Sequence, residues 1–274
     1  ALTPITDMAA YRERLEAFVY ASGTLMKPIF AAAKRALQKR VAYAEGEEER
    51  VLRACQIIVD EGLARPTLIG RPAVIAQRIA QFGLRLKQGL DYDIVNVEQD
   101  DRYADFWQTY YQLTARLGTT EQIAKIEMRR RLTLIAVMLL KKCEVDGVIC
   151  GTWGTTSLHL NYVDQVIGKS AGVNTYACLT GLILPGRQVF LLDTHINYDP
   201  SAQQIAEITV LAAQEMLRIG VQPKAALLSH SNFGPSQQPS APQMREALAF
   251  VREQAPCREG AGGRIGDIAL DPPP

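Results

Sequence analysis

From Arg40 onward, short apolar runs alternate with stretches of helical periodicity, and this alternation is the strongest constraint on the fold. The runs RVAYAE, PTLIG and DIVNVE are separated by helical patterns over residues 47–62 and 72–82. Neighbouring parallel strands need a crossover of about a dozen residues or more, which a helix usually supplies. The alternation therefore predicts an α/β fold in which helices cover both faces of a parallel sheet.

Further along the chain, the segment VDGVICG (Val145–Gly151) leads into a Gly/Thr turn, and we interpret it as a fully buried strand. Residues 101–142 before it are helical in pattern, and Leu134–Leu140 is their longest purely apolar stretch. A membrane-spanning helix needs about 20 apolar residues. This stretch therefore predicts a buried helix, and we expect no membrane partner.

The second half of the chain mixes β and helical patterns. The runs TYACLTGLIL and RQVFLLDT meet at Pro185-Gly186, which predicts a hairpin. Helical patterns over residues 202–219 and 243–253 flank the β run KAALLSHS. Beyond Pro256 the chain is rich in Gly, Arg and Pro without periodicity, and we expect no packed element there.

These patterns divide the chain into four parts. We expect a helical linker over residues 1–39, a first α/β lobe over 40–155, an incomplete second α/β lobe over 156–256, and an irregular tail over 257–274.

Charge and cysteine content exclude several classes of function. Thirty basic residues against 29 acidic ones give a net charge of +1, which leaves no basic surface for nucleic acid or an anionic membrane. The five cysteines form no C-x-x-C pair, so we expect neither a disulfide framework nor a zinc cluster. The three histidines have no metal-ligand spacing, and no metal site is expected. A reduced, cytoplasmic location fits this composition.

Three polar loops follow predicted strands, and open α/β sheets bind their ligands at the carboxyl ends of strands. The first is Glu45-Gly46-Glu47. In the second, Gly151 and Gly154 allow the backbone to approach a ligand closely, and hydroxyls and amides at the next helix start can hold an anion. The candidate ligand residues there are Gly151, Thr152, Gly154, Thr155 and Thr156. A plain helix cap by one of these threonines is the alternative.

The third loop, Ser229–Ser236, carries more polar side chains than a solvated turn needs. Its candidate ligand residues are Ser229, Ser231, Asn232, Gly234 and Ser236. Asp193 ends the run FLLD and has two interpretations, a functional carboxylate or a loop carboxylate that caps nearby amides.

Five segments together resemble the phosphate acetyl/butyryltransferase family, in the family's order and spacing. They are Ala44–Cys55, Pro66–Gly70, Val145–Gly151, Leu191–Gln214 and Ala226–Gly234. The preamble YRERLEAFVY…MKPIF is similar to the segment that follows the catalytic part of bacterial hybrid NADP-dependent malic enzymes. The resemblance implies a malic enzyme catalytic domain as partner and the homo-oligomers typical of the family.

The family transfers an acyl group between coenzyme A and phosphate, on a two-lobed fold like that of isocitrate and isopropylmalate dehydrogenases. The resemblance thus implies acetyl-CoA or another acyl-CoA, and phosphate, as ligands, with no covalently bound cofactor. The Gly151–Thr156 loop would face the phosphate or acyl end. The Ser229–Ser236 loop would line the coenzyme A cleft.

Two departures from the family affect the expected activity. Asn161 and Tyr162 stand where active members have arginine and proline, and Thr114 stands where a second arginine is expected. The family's later serine-arginine pair and aspartate have no counterpart in this sequence. Because these groups stabilise charge in the transition state, we expect a degenerate regulatory sensor and no catalytic residue.

Two alternatives remain. One is an active phosphate acetyltransferase whose cations are supplied by residues such as Arg116 or Lys169. The other is an oligomerisation module that binds no ligand.

Overall fold

The computed structural model divides the chain into two compact units between Gly168 and Lys169. It describes residues 7–9, 11, 26, 29–184, 187–229 and 236–254, and the backbone of 257–259 and 267–270. The first unit covers residues 30–168, and the second begins at Lys169.

The first unit is built on four parallel strands. They are β1 (Lys39–Tyr43), β2 (Ala64–Gly70), β3 (Asp93–Asn96) and β4 (Gly147–Ile149). Their order across the sheet is β3, β2, β1, β4, so β1 pairs with β2 on one side and β4 on the other. The parallel sheet predicted from the alternation is confirmed.

Helices precede, connect and follow these strands. They are α1 (residues 29–35), α2 (Glu49–Asp60), α3 (Pro72–Gln81), α4 (Tyr103–Thr114), α5 (Glu121–Arg130), α6 (Leu132–Lys141) and α7 (Thr156–Val166). A short 3₁₀ helix, Ala115–Leu117, follows α4. Thr120 caps α5 by accepting a hydrogen bond from the Ile123 amide.

The helices cover both faces of the sheet, as predicted. Successive side chains of a strand point to opposite faces. Ala42 and Ala44 are fully buried in a cluster with side chains of α4, α5, α6 and α7. Tyr43 and Leu68 are buried in a second cluster with α2 and α3. The sheet therefore separates two apolar cores.

The apolar stretch Leu134–Leu140 lies within α6, and residues 133–139 of this helix are all buried. The prediction of a buried helix is confirmed. In the described ranges, no helix combines the length and the apolar character that crossing a membrane requires.

The prediction of a fully buried strand over Val145–Gly151 is wrong. Only Gly147–Ile149 is extended in a strand, and β4 has no neighbour on its outer side in the described part of the sheet. Val145 is buried, but Ile149 is 52% exposed. An apolar run does not distinguish a central strand from an edge strand, because both carry at least one buried face.

The division between the units also lies further along the chain than residues 155/156, where the sequence placed it. Tyr162 and Val166 of α7 are buried in the core that contains α6. Because this apolar face packs on α6, α7 belongs to the first unit.

The second unit contains a hairpin of β5 (Leu179–Leu184) and β6 (Arg187–Leu192), which pair antiparallel. The predicted hairpin is confirmed, although residues 185 and 186 lie outside the described residues. Two helices follow, α8 (Ala202–Arg218) and α9 (Ser240–Gln254), separated by β7 (Lys224–Ala226). Ser201 and Gln204 form a capping box at the start of α8.

The tail beyond Pro256 is not wholly irregular, which corrects the expectation for residues 257–274. β8 (Cys257–Glu259) and β9 (Asp267–Leu270) form an antiparallel sheet with β7, in the order β7, β9, β8. Pairing between strands distant in sequence leaves no periodic signal in short Gly-rich segments, so the sequence pattern missed it.

We predict that Leu134→Ala destabilises the first unit far more than Leu117→Ala. Leu134 is fully buried, whereas Leu117 is 72% exposed. The buried substitution is expected to lower the free energy of unfolding by about 2–5 kcal/mol, and the exposed one by less than about 0.5 kcal/mol. Urea denaturation followed by circular dichroism measures both. Similar losses would contradict the placement of α6 in the core.

Candidate functional site

The carboxyl ends of β1 and β4 bring two of the three predicted loops together. The two strands are parallel neighbours, so the chain leaves both at the same edge of the sheet. Glu45, after β1, accepts a hydrogen bond from the amide of Gly151 after β4, at 3.1 Å from Oε1 to N. The candidate site therefore begins with a contact between Glu45 and Gly151.

Gly46 lets the first loop pass close to β2. Its amide donates to the carbonyl of Ile69 at 3.1 Å. A Cβ atom at Gly46 would lie 2.8 Å from both the amide nitrogen and the carbonyl oxygen of Ile69. Because backbone atoms cannot give way as a flexible side chain can, this position requires glycine.

The two acidic residues that follow Gly46 stabilise the fold. Glu47 accepts hydrogen bonds from the Nε and Nη2 atoms of Arg71 at 2.9 and 2.8 Å. The Arg71 side chain holds the pKa of Glu47 below its usual value, against the opposing effect of burial. Glu48 caps α2 by accepting from the amides of Arg50 and Val51. Glu45 alone among these carboxylates contacts the second loop.

In the second loop, Gly151 and Gly154 adopt φ values of +104° and +101°, which favour glycine. Thr155 is the N-cap of α7, and its hydroxyl accepts from the Leu158 amide at 3.4 Å. The capping interpretation of Thr155 is therefore correct. Thr156 is the first residue of α7 and is exposed, and Thr152 is half-buried.

Sequence reasoning missed a hydrogen-bonded group behind this loop. His159 Nδ1 lies 2.7 Å from the hydroxyl oxygen of Thr133, and Nε2 lies 2.6 Å from the carbonyl oxygen of Trp153. Thr133 also acts on the thiol of Cys150, whose pKa it lowers. The spacing of the histidines does not reveal a partner such as Thr133, on a different helix.

The thiol of Cys150 is held in its protonated form. Burial raises the pKa of this thiol, the negative charge of Glu45 raises it further, and the hydrogen bond with Thr133 opposes them. A thiol with a raised pKa is a weak nucleophile at neutral pH.

Neither Asn161 nor Thr114, the positions where the resemblance implies arginines, supplies a cationic group. Tyr162, which stands at the family's proline, is buried, and its hydroxyl donates to the carboxylate of Glu127. Asn161 is exposed. Thr114 is fully buried, and its hydroxyl donates to the carbonyl of Tyr110 at 2.8 Å. Tyr162 and Thr114 are buried and Asn161 faces solvent. None of the three carries a positive charge.

The two candidate substitute cations lie in different units. Arg116 is exposed in the 3₁₀ helix that follows α4. Lys169 belongs to the second unit, where its Nζ atom lies 4.3 Å from the centre of the Tyr176 ring.

The third loop is described only at its ends. Ser229 follows β7 and is half-buried. The Ser236 hydroxyl accepts a hydrogen bond from the Gln238 amide at 3.2 Å. Ser231, Asn232 and Gly234 lie outside the described residues, so their ligand role stays a prediction.

Asp193 caps a turn in the second unit. Its carboxylate accepts from the backbone amides of Cys178, His195, Ile196 and Asn197, at distances of 2.9–3.2 Å. The side-chain amide of Asn197 donates a further hydrogen bond to it. The contacts favour the capping interpretation. Within the described ranges no group of histidine, cysteine or acidic residues could hold a metal ion.

Polar loops at the carboxyl edge of a parallel sheet are the arrangement with which α/β proteins bind phosphate-bearing ligands. Residues 24–273 match the family described as phosphate acetyl/butaryl transferase. Because this match covers most of the 274 residues, the chain belongs to the phosphate acetyl/butyryltransferase family, and the resemblance inferred from the five segments is confirmed.

The curated relatives include malic enzymes and phosphate acetyltransferases. An NAD-dependent malic enzyme of Rhizobium meliloti is 46% identical over 98% of this chain and 35% of its own length. An NADP-dependent malic enzyme of Haemophilus influenzae is 45% identical over 99% of the chain and 36% of its length. A phosphate acetyltransferase of Synechocystis is 29% identical over 87% of the chain and 34% of its length. The chain thus spans about a third of these relatives.

Solved structures agree on the fold. The EutD phosphotransacetylase from Staphylococcus aureus aligns with a TM-score of 0.73 at 22% identity, over 85% of this chain and 68% of that one. A phosphotransacetylase from Streptococcus pyogenes aligns with a TM-score of 0.72 at 24% identity, over 88% and 70%. The α/β fold is therefore that of phosphotransacetylases.

We predict that Glu45→Gln makes Cys150 react faster with iodoacetamide. Glutamine keeps an oxygen for the Gly151 amide but removes the charge that helps to raise the pKa of the thiol. A lower pKa means more thiolate at pH 8, and we expect a rate increase of roughly threefold. Mass spectrometry of the Cys150 peptide gives the rate.

The matched control is Glu48→Gln, which removes a neighbouring carboxylate that caps α2 instead. It is expected to leave the alkylation rate of Cys150 at the wild-type value. An equal rate in Glu45→Gln and the wild type would show that Glu45 does not act on the thiol.

Proposed function

We propose that this chain is the phosphotransacetylase-type domain of a malic enzyme and that it senses an acyl-CoA, acetyl-CoA being the first candidate, without turning it over. One combined observation carries the proposal: the chain belongs to the family, yet Asn161 and Thr114 are uncharged where arginines are expected. Malic enzymes that match almost the whole chain support the partner assignment.

The ligand assignment follows from the chemistry of the loops. The positive end of α7 and the amides of Thr156 and Ser157 at its start favour a phosphate or an acyl carbonyl oxygen. The proposal gives this end of the ligand to the Gly151–Thr156 loop and the coenzyme A part to the Ser229–Ser236 loop. The negative charge of Glu45 disfavours tight binding of a free anion. The proposal therefore favours a thioester over inorganic phosphate at this loop.

The proposed lack of turnover follows from the missing positive charges. Transfer of an acyl group to phosphate develops negative charge on a tetrahedral oxygen, and preorganised cations commonly supply the needed stabilisation. The side chains at Asn161 and Thr114, where the resemblance implies arginines, supply none, and Thr114 is fully buried. The loss of several such groups together costs orders of magnitude in rate.

The remaining parts of the proposal are a malic enzyme catalytic domain as partner, a homo-oligomer and a cytoplasmic location. The two-lobed architecture of isocitrate dehydrogenase type belongs to it as well.

An active phosphate acetyltransferase is the second candidate, and similarity to the Synechocystis phosphate acetyltransferase favours it. A domain that binds no ligand and only supports oligomerisation is the third.

We predict that acetyl-CoA binds the full-length malic enzyme that contains this domain and changes its rate of malate oxidation. Thr156→Ala removes a hydroxyl at the start of α7 and is expected to weaken binding about fivefold, the equivalent of one hydrogen bond of about 1 kcal/mol. Isothermal titration calorimetry measures the affinity. Thr109→Ala, within α4, is the control and should bind as the wild type does.

Absence of binding by the wild-type enzyme would exclude the sensor and favour the oligomerisation module. Binding without any change in malate oxidation would exclude regulation while leaving a coenzyme A site in place.

We also predict that the chain releases no free thiol from acetyl-CoA and phosphate above the uncatalysed rate. The assay detects coenzyme A with a chromogenic disulfide, with a phosphate acetyltransferase of the family as positive control. Turnover above background that disappears in Arg116→Ala or Lys169→Ala would establish the active transferase instead.

A further inference from the structure

His159 holds the Gly151–Thr156 loop from behind. It is the fourth residue of α7, and its half-buried imidazole ring lies between α6 and the loop. Nδ1 is 2.7 Å from the Thr133 hydroxyl on α6, and Nε2 is 2.6 Å from the Trp153 carbonyl in the loop. One side chain therefore joins the loop to the most deeply buried helix of the unit.

The partners of the ring determine which nitrogen carries the proton. A backbone carbonyl only accepts, so Nε2 donates to Trp153. In the neutral imidazole Nδ1 is then the acceptor, and the Thr133 hydroxyl donates to it. The hydrogen bonds thus run from the Thr133 hydroxyl through the imidazole of His159 to the loop carbonyl.

The loop itself is shaped to fit the ring. A Cβ atom at Gly154 would lie 2.9 Å from His159 Nε2, and one at Gly151 would lie 4.0 Å from Cδ2. Both glycines have positive φ. The backbone therefore passes the imidazole at a distance that only glycine allows at position 154.

We propose that His159 is a positioning residue, which fixes the path of the Gly151–Thr155 backbone so that the ligand meets an ordered loop. The inference rests on the proposed function, because it assigns the ligand end of acyl-CoA to this loop. A loop that is ordered before binding avoids the entropy cost of ordering during binding. Loss of the two hydrogen bonds should make the loop more mobile. The affinity for acyl-CoA should therefore fall, because binding must then order the loop.

The test compares His159→Ala with His159→Gln in the full-length enzyme. Alanine removes both hydrogen bonds, and we expect faster amide exchange over residues 151–155 and about tenfold weaker acetyl-CoA binding. Glutamine places an amide donor near the position of Nε2 and should restore the affinity to within about threefold of the wild type. His195→Ala, an exposed histidine of the second unit, is the control and should change neither property.

Thr133→Val provides a second variant of nearly equal volume at a buried position. It removes only the hydroxyl that holds Nδ1 and should give an intermediate increase in loop exchange. In the wild type, nitrogen-15 shifts of His159 at pH 8 should show a proton on Nε2 and none on Nδ1. The opposite tautomer would overturn this direction of the hydrogen bonds.

The outcomes separate this inference from the proposed function. Unchanged loop exchange in His159→Ala, or faster exchange with unchanged affinity, overturns the positioning role. Faster exchange and weaker binding, both rescued by glutamine, support it. Faster exchange in an enzyme whose wild type binds no acetyl-CoA upholds the structural part of the inference and overturns the sensor.

Discussion

The burial of α6 against the small side chains of β1 supports the rest of the first unit. Ala42, Ala44 and Ala136 are all fully buried in the same core, which indicates close packing of helix and sheet. The same helix presents Thr133 to His159. A shift of α6 would therefore disturb the apolar core and the candidate site together, because His159 links the loop after β4 to this helix.

The drift from catalyst to sensor that we propose is concentrated at a few positions. Thr114, at one of the two arginine positions, is buried and satisfies its hydroxyl within α4. A guanidinium buried there would need a charged partner. Tyr162, at the family's proline, occupies the core with its hydroxyl on Glu127. The loop backbone, in contrast, keeps the glycines and the helix start to which we assign the ligand.

Much of the first unit could be predicted from the sequence, because its signals are local. The alternation after Arg40 predicted the parallel sheet, and the apolar stretch Leu134–Leu140 predicted α6. The features that could not be predicted from the sequence depend on contacts with residues that are distant in the chain. The edge position of β4 depends on which strands lie beside it, and the role of His159 depends on a threonine 26 residues away. The pairing of β7 with β9 is non-local in the same way.

The contact between Glu45 and Gly151 joins residues 106 positions apart in the chain. β1, β2 and β3 follow one another with single-helix connections, but β4 returns to β1 only after α4, α5 and α6 have been made. Closing so long a segment is slow compared with local pairing. The candidate site therefore exists only in a chain that has completed its sheet, and a ligand bound there would stabilise that finished state over every partly folded one.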